Sequence, residues 1–304
     1  MAGMTFAKMK DEMPAVKSLR YLLHTHLNGP ESGRSLNRIH ASALTKEEGF
    51  CPRFYALSDV TKSKPKDEWL TTSENVTFRM GRDQQDALVH DFADMGKATG
   101  HWRCLCCNRP HEFMARPLKC ELCGCKAFKP EEARFVSDAT GASCGIDMLV
   151  NLGFPKLIAV ELKTMGKDQF KTLLAPLAEH RVRTNLYLRI IKESVQPWAN
   201  FVDTNRAIIL YVEKGGFGVQ DDQLKKWGLK EGFSPFKEYD VKRVDADTDD
   251  YALRARTVKH FREGAVGMPS GICSSALAKR AVYCQMKAQC FSGQFPPEHV
   301  WNAK

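Results

Sequence analysis

The sequence predicts an α/β protein with a mixed central sheet flanked by helices, and three observations carry that expectation. Apolar runs with strand character stand in its second half, in IDMLVNL, KLIAVEL and RAIILYVE. Segments with helical character alternate with them, from Gly81 to Met95, from near Pro176, and from about Asp249 to Arg262. Strands interleaved with helices of this length pack as layers around a shared core. The third observation is a pair of Cys-x2-Cys knuckles between residues 100 and 130, which marks a metal-stapled insertion into that core.

In chain order, residues 14–48 read as helices, PAVKSLRYLLHTHL and NRIHASAL, broken at NGPESGRS by glycine, proline and serine. The segment CPRFYAL and a polar loop, SDVTKSKPKDEW, follow. The helix from Gly81 to Met95 comes next, then the insertion, then two strands joined by a Gly-Phe-Pro turn. A helix opens near Pro176, where proline suits the first turn. RAIILYVEK and FGVQ are later strands separated by a Gly-Gly turn, and KEYDVKRVD is a further one. The expected organisation is an N-terminal helical segment over 1–50, a core from 51–99 and 131–265, the insertion at 100–130, and a cysteine-rich segment over 266–304.

The chemistry concentrates in SCGIDMLVNLGFPKLIAVELKTM. Side chains alternate across a strand, so Glu161 and Lys163 emerge on one face, and a turn near Gly153 brings Asp147 beside them. Two carboxylates and an ammonium on an apolar hairpin are costly to bury unless they pair, bind a metal or do chemistry. Asp147 and Glu161 suit Mg²⁺ or Mn²⁺, hard cations that prefer oxygen ligands. Such a cation polarises a phosphoryl oxygen and acidifies a water, while Lys163 orients that water or stabilises charge on the phosphate. The ordinary alternative is a solvated strand face carrying a Glu/Lys pair.

Eleven cysteines stand in 304 residues. The opening MAGMTFAKMKDEMP lacks the apolar core of a secretion signal, and no apolar run approaches the roughly 20 residues that span a bilayer. A cytoplasmic, reducing setting follows as the expectation, with no membrane partner, and there clustered cysteines bind metal more often than they form disulfides. Cys104, Cys107, Cys120 and Cys123 form the two knuckles of a zinc ribbon, with Cys106 and Cys125 as the competing thiols. Cys144 reads as a small buried hydrophobe.

With its Asp147, Glu161 and Lys163, the chain resembles the PD-(D/E)XK nuclease superfamily, and within it the RecB-like branch of CRISPR-adaptation nucleases and phage exonucleases. GRDQQDALVH resembles that branch's upstream helix, which implies that His90 is a further metal ligand and, by the same analogy, that the Leu162 carbonyl is another. PLAEHRVRTNLYLRII resembles the helix carrying a Gln-x-x-x-Tyr motif: Tyr187 matches, and Arg183 stands where glutamine is usual. CPRFYAL and CSSALAKRAVYCQMKAQCF resemble the cysteine segments of the iron–sulfur members. The resemblance implies a 4Fe–4S cluster on Cys51, Cys273, Cys284 and Cys290, closing the C-terminal segment onto Cys51. The stretch between Cys273 and Cys284 is longer than in many relatives, which leaves zinc as the competing metal and independent thiols as the alternative. The implied fold is a restriction-endonuclease-like core.

A formal net charge of +9 and a pI near 9.0 favour a polyanionic partner, and the balance stays positive after two thiolate metal centres each subtract about 2. Arg181, Arg183 and Arg189 lie along one helix and are the candidate DNA-facing cations. The expected function is a metal-dependent DNA exonuclease of phage type acting on single-stranded ends, in the host cytoplasm, beside recombination or replication proteins. Its rivals are a structure-selective endonuclease or resolvase, which would cut a circle, and a DNA-binding accessory protein, which needs no Asp147, Glu161 and Lys163 set.

Overall fold

Ala207–Val212, within VDTNRAIILYVE, is the densest aliphatic run of the chain, and it forms the middle of the longest strand. The computed structural model describes residues 26–27, 29–31, 36–46, 49–63, 68–216, 218–229 and 232–292. The first elements are β1 (Gly29–Glu31), β2 (Ile39–His40), α1 (Ala41–Leu44), α2 (Pro52–Thr61), β3 (Glu68–Leu70) and α3 (Thr72–Asp94). Then come β4 (Ala98–Cys104), β5 (Pro110–Ala115), β6 (Phe128–Glu131), β7 (Ala133–Val136), β8 (Ala142–Ile146), β9 (Met148–Val150) and β10 (Leu157–Met165). α4 (Lys167–Thr172), α5 (Ala178–Lys192), β11 (Val202–Glu213), β12 (Val219–Gln220), α6 (Asp222–Lys226), β13 (Phe233–Ser234) and β14 (Phe236–Lys242) follow. α7 (Asp249–Arg262), α8 (Lys279–Val282) and α9 (Lys287–Phe291) close the described chain.

The described residues fall into two compact units, one drawn from 1–34 and 65–80, the other from 35–64 and 81–304. In the small unit β1 pairs antiparallel with β3, and Asn75 Nδ2 donates to the Leu27 carbonyl at 2.7 Å. The large unit contains the mixed sheet, in the order β14-β11-β10-β9-β4-β5, with β6 also on β4. β10 and β11 are parallel, and the other pairs in this sheet are antiparallel. A parallel pair requires a long crossover, supplied here by α4 and α5. β11 lies between β10 and β14, so its run can be apolar on both faces. One face packs Val160, Leu162 and Ile208 against Val89, Leu88 and Phe92 of α3, and the other packs Ala159, Leu149 and Ala207 against Leu186, Leu188 and Ile190 of α5. A smaller sheet, β2-β8-β7, adds to the α5 side.

Four sequence expectations change. Most of the helical stretch expected over 14–48 lies outside the described residues, and Gly29–Glu31 and Ile39–His40 are strands held by pairing partners far along the chain. The loop expected after Cys51 is in its first part helix: α2 runs to Thr61 and ends on Lys62 in the left-handed conformation. The helix carrying His90 begins nine residues before Gly81, at Thr72, where Thr71 and Glu74 cap each other. The boundary set at residue 100 falls inside β4, whose first residues pair with β9 in the central sheet, so the cysteine hairpins grow out of that sheet. Among the described residues, no helix is long and apolar enough to cross a membrane.

Ile209 is fully buried at the centre of the sheet, between Glu161 of β10 and Tyr239 of β14. Ile209→Ala is expected to lower stability by about 2–5 kcal/mol, through lost transfer energy and a residual cavity. Denaturant unfolding measures this, and an unchanged midpoint would contradict the packing described.

Candidate active site and metal centres

Register places the acidic pair. Val160 faces Met148 across β10 and β9, so one further step sets Asp147 opposite Glu161. Asp147 Oδ2 accepts the Leu162 N–H at 2.8 Å, which ties the carboxylate to the strand that carries its partner. Glu161 is 4% exposed, and Lys163 Nζ meets its Oε1 at 2.5 Å and the Leu162 carbonyl at 3.3 Å. Asp147 stands in a half-open residue environment, yet its carboxyl group is desolvated. Burial first, and then the Glu161 charge, push its pKa well above the usual carboxylate range; Lys163 opposes them. Tyr187 projects from α5 into the same space. Burial and the charges of Glu161 and Asp147 push its phenol well up, so it is neutral. The geometry thus gathers Asp147, Glu161, Lys163 and Tyr187 on the α5 side of the sheet.

His90 is placed differently. α3 packs against the opposite face through Val89 and Leu88, and the His90 ring lies 6.2 Å from that of Trp102. Among the described residues, no set of three ligating groups within 4.8 Å of one another includes His90, Asp147 or Glu161. Val89 and Trp102 do line one cleft with Asp147 and Glu131. The Leu162 carbonyl already accepts from Gln85 Nε2 of α3 at 2.9 Å. Arg189 is held inside the protein by Glu193, Asp249 and the Thr248 hydroxyl; Arg181 is half-exposed and pairs with Asp247, and Arg183 donates to the Thr45 hydroxyl at 3.3 Å. The Arg189 network ties α5 to the start of α7, which is an architectural role.

Three further groups went unnoticed in the sequence. Glu132 sits against Gly145, where any Cβ would collide with its carboxylate, and its charge adds to the rise at Asp147. Tyr211 is the register partner of Lys163, and its hydroxyl accepts the Leu177 N–H at 3.0 Å and meets His180 Nδ1 at 2.9 Å. Burial, then Lys163 and Arg183, hold His180 down at about 4. A signal existed for this one: His180, Arg183 and Tyr187 are spaced three and four apart, on one face of a helix.

The knuckle cysteines converge. The sulfurs of Cys104, Cys107, Cys120 and Cys123 all lie within 4.8 Å of one another, with Cys104–Cys123 and Cys107–Cys120 both at 3.6 Å. Tetrahedral thiolates around zinc, with Zn–S near 2.3 Å, stand about 3.8 Å apart, so the donor set fits that ion. The Cys107 amide first, and other N–H groups after it, lower Cys104 to about 7. At Cys120 burial works the other way, but the Cys123 amide and His111 outweigh it and bring it to about 7. Cys106 and Cys125, the competing thiols of the sequence reading, are bridged as a disulfide with Cα atoms 6.2 Å apart. Their Cα separation is within disulfide range, and the bridge removes both from the competing ligand set.

Cys51, Cys273, Cys284 and Cys290 share one region, because the thiol of Cys273 feels the charges of the other three. Burial is the main cause raising Cys273, Cys284 and Cys290. No three of them are as close as the knuckle sulfurs. Cys144 is buried, with its thiol raised by desolvation.

The sequence matches no protein-family model and no curated protein. Among solved structures, the chain is similar to LHK-Exo, an alkaline exonuclease from Laribacter hongkongensis, with 10% identity, 81% of this chain and 94% of that one covered, and a TM-score of 0.39. The same exonuclease in complex with dAMP gives 11% identity, coverage of 76% and 90%, and a TM-score of 0.41. SSO0001 gives 14% identity, coverage of 90% and 94%, and a TM-score of 0.37.

The raised Asp147 carboxyl sets the sign of a pH dependence. A group that holds its proton more tightly when folded stabilises the fold below its unfolded value of about 3.9, and that contribution is lost as pH rises through the raised value. Metal-free Asp147→Asn protein is therefore expected to melt level with wild type near about pH 4 and higher than wild type at neutral pH. A wild type that melts higher at neutral pH would overturn this. At the knuckles, the Arg109 and Cys125 amides work the other way, but burial and neighbouring thiols raise Cys107 and push Cys123 up to about 12, so zinc displaces protons there at neutral pH. Apparent zinc affinity is expected to fall as pH drops, and more steeply below about 7, where Cys104 and Cys120 also take up protons. Chelator competition at several pH values measures it, and a flat profile would count against this ligand set.

Proposed function

We propose that this chain is a metal-dependent deoxyribonuclease of the PD-(D/E)XK type, hydrolysing phosphodiester bonds from the ends of single-stranded DNA. The observation that carries the proposal is the desolvated set of Asp147, Glu161 and Lys163 on one strand pair. Two carboxylates on facing strands, one raised by burial and by the charge of the other, lack a charge that a divalent cation supplies, so Asp147 and Glu161 fit Mg²⁺ or Mn²⁺. When bound, such a cation polarises the phosphoryl oxygen and makes a water acidic.

The side chains do the rest. The Leu162 amide fixes one Asp147 oxygen and leaves the other for the cation. Lys163 is held within hydrogen-bond reach of Glu161, so its ammonium is already oriented where negative charge develops on the phosphate. Tyr187, a neutral phenol among these charges, is a hydrogen-bond donor to the substrate's phosphate. His180 is neutral at physiological pH, and Tyr211 ties it beside Lys163 without adding a competing cation. By the resemblance to the RecB-like branch, His90 is the further metal ligand, carried by α3 beside Trp102. The knuckle cysteines hold zinc, and Cys51, Cys273, Cys284 and Cys290 hold an iron–sulfur cluster with a structural role. The preference for single strands and ends follows the resemblance to the RecB-like exonucleases.

The test is degradation of end-labelled linear single-stranded DNA by anaerobically purified protein with Mg²⁺ or Mn²⁺, beside Glu161→Ala and Lys163→Ala variants. Progressive loss from one end is expected, slowed at least about 10²-fold in either variant. Equal cleavage of a closed circle would replace the exonuclease reading with an endonuclease. No cleavage by folded, metallated protein would remove the nuclease reading altogether.

A further inference from the structure

Among the described residues, the large unit contains a buried cation with no acidic partner. Arg53, in the first turn of α2, is 1% exposed, which places it among the most deeply buried large side chains. Its Nε and Nη2 atoms make no hydrogen bond among the described residues; its Nη1 reaches the Pro269 carbonyl at 3.5 Å, and the guanidinium stands within hydrogen-bonding reach of the Cys290 thiol. The other buried arginine, Arg254, shows the usual solution: it pairs with Asp250 and donates to the Phe50 carbonyl. A buried guanidinium without a counter-charge costs several kcal/mol even after relaxation. Folds keep such a group only where an anion meets it.

The surroundings of Arg53 identify that anion. Cys51, two residues earlier, is the N-cap of α2, and α2 packs against α9, which carries Cys290. A Cβ built on Gly271 would lie 3.4 Å from Arg53 Cδ and 3.9 Å from Cys290 Sγ, so the arginine stem and that sulfur approach the same point. Arg53 acts on Cys290 by its charge, and Arg280 acts likewise on Cys273 and Cys284. Neutral thiols cannot balance a guanidinium. Four thiolates holding either zinc or a 4Fe–4S core carry about −2 in total, and they are sulfur acceptors for N–H groups.

We propose that Arg53 is the buried counter-ion of an anionic metal centre on Cys51, Cys273, Cys284 and Cys290, with its free N–H groups donating to thiolate sulfurs. The inference rests on the reading that these four cysteines hold a metal. It assigns Arg53 a positioning role: the residue lowers the cost of burying the centre and makes its reduction easier than it would be beside a neutral side chain.

The test uses full-length, anaerobically purified protein with Arg53→Met, Arg53→Gln and Arg53→Lys substitutions. Iron, zinc and acid-labile sulfide are counted, metal release to a chelator is timed, and the reduction potential is measured where iron is found. Arg53→Met is expected to release metal at least tenfold faster and to shift the potential to more negative values. Arg53→Gln keeps donors without charge and should fall between Met and wild type; Arg53→Lys keeps the charge and should lie nearest wild type. A side chain that merely fills space would leave the potential unmoved. Equal release rates and potentials in the wild type, Arg53→Met and Arg53→Gln proteins would overturn the proposal, and Arg53→Gln decides alone if Arg53→Met does not fold. The underlying reading has a separate control. If Cys284→Ser leaves the metal and sulfide content unchanged, there is no four-cysteine centre, and the failure lies there.

Discussion

Asp147 and Glu161 stand opposite each other across β9 and β10, and the sheet and helices of the large unit hold that register in place. Burial, and then the like charge of Glu161, push the Asp147 carboxyl well above the usual carboxylate range, and Lys163, from the strand that carries Glu161, opposes them. A loop would relax under such repulsion. β10 does not, because it lies inside the sheet between β9 and β11, with buried side chains on both faces. The α4–α5 crossover demanded by the parallel β10–β11 pair also delivers Tyr187 and His180 to the same face.

Much of this was legible in the sequence, for definable reasons. The period-two alternation of Glu161 and Lys163, with a glycine turn before them, fixed their common face, and β9 and β10 put Asp147 beside them. The span of α7 from Asp249 to Arg262 and the Cys-x2-Cys pairs were also readable, since local periodicity and ligand spacing encode them. The strands at Gly29–Glu31 and Ile39–His40 were not. They are two or three residues long, and partners tens to a hundred residues away define them. His90 shows another limit. Periodicity reveals which residues share a helix face, but not which face of the sheet that helix covers. The ion pairs of the α5 arginines were not legible for a similar reason: Asp247 and Asp249, which pair with Arg181 and Arg189, follow β14 in the chain and reach α5 only in the fold.

The two cysteine groups do different physical work. The knuckle sulfurs close a hairpin extension that has little core of its own and joins the central sheet through β4. Cys51, Cys273, Cys284 and Cys290 bring the end of the described chain back to α2 over more than two hundred residues. Closing so long a loop restricts the unfolded chain, so a metal there would stabilise the fold as a cross-link does. The buried Arg53 is understandable on the same terms, as a cation whose partner arrives with the metal.

The central claim is that the strand pair presents Asp147 and Glu161 to a divalent cation. Anomalous diffraction at the manganese edge, from crystals grown with Mn²⁺, tests it without requiring turnover or a DNA substrate. The account predicts a density peak between the Asp147 and Glu161 carboxylates that is lost in Asp147→Asn crystals. Density that is absent there at saturating Mn²⁺, or that persists in the variant, would contradict it.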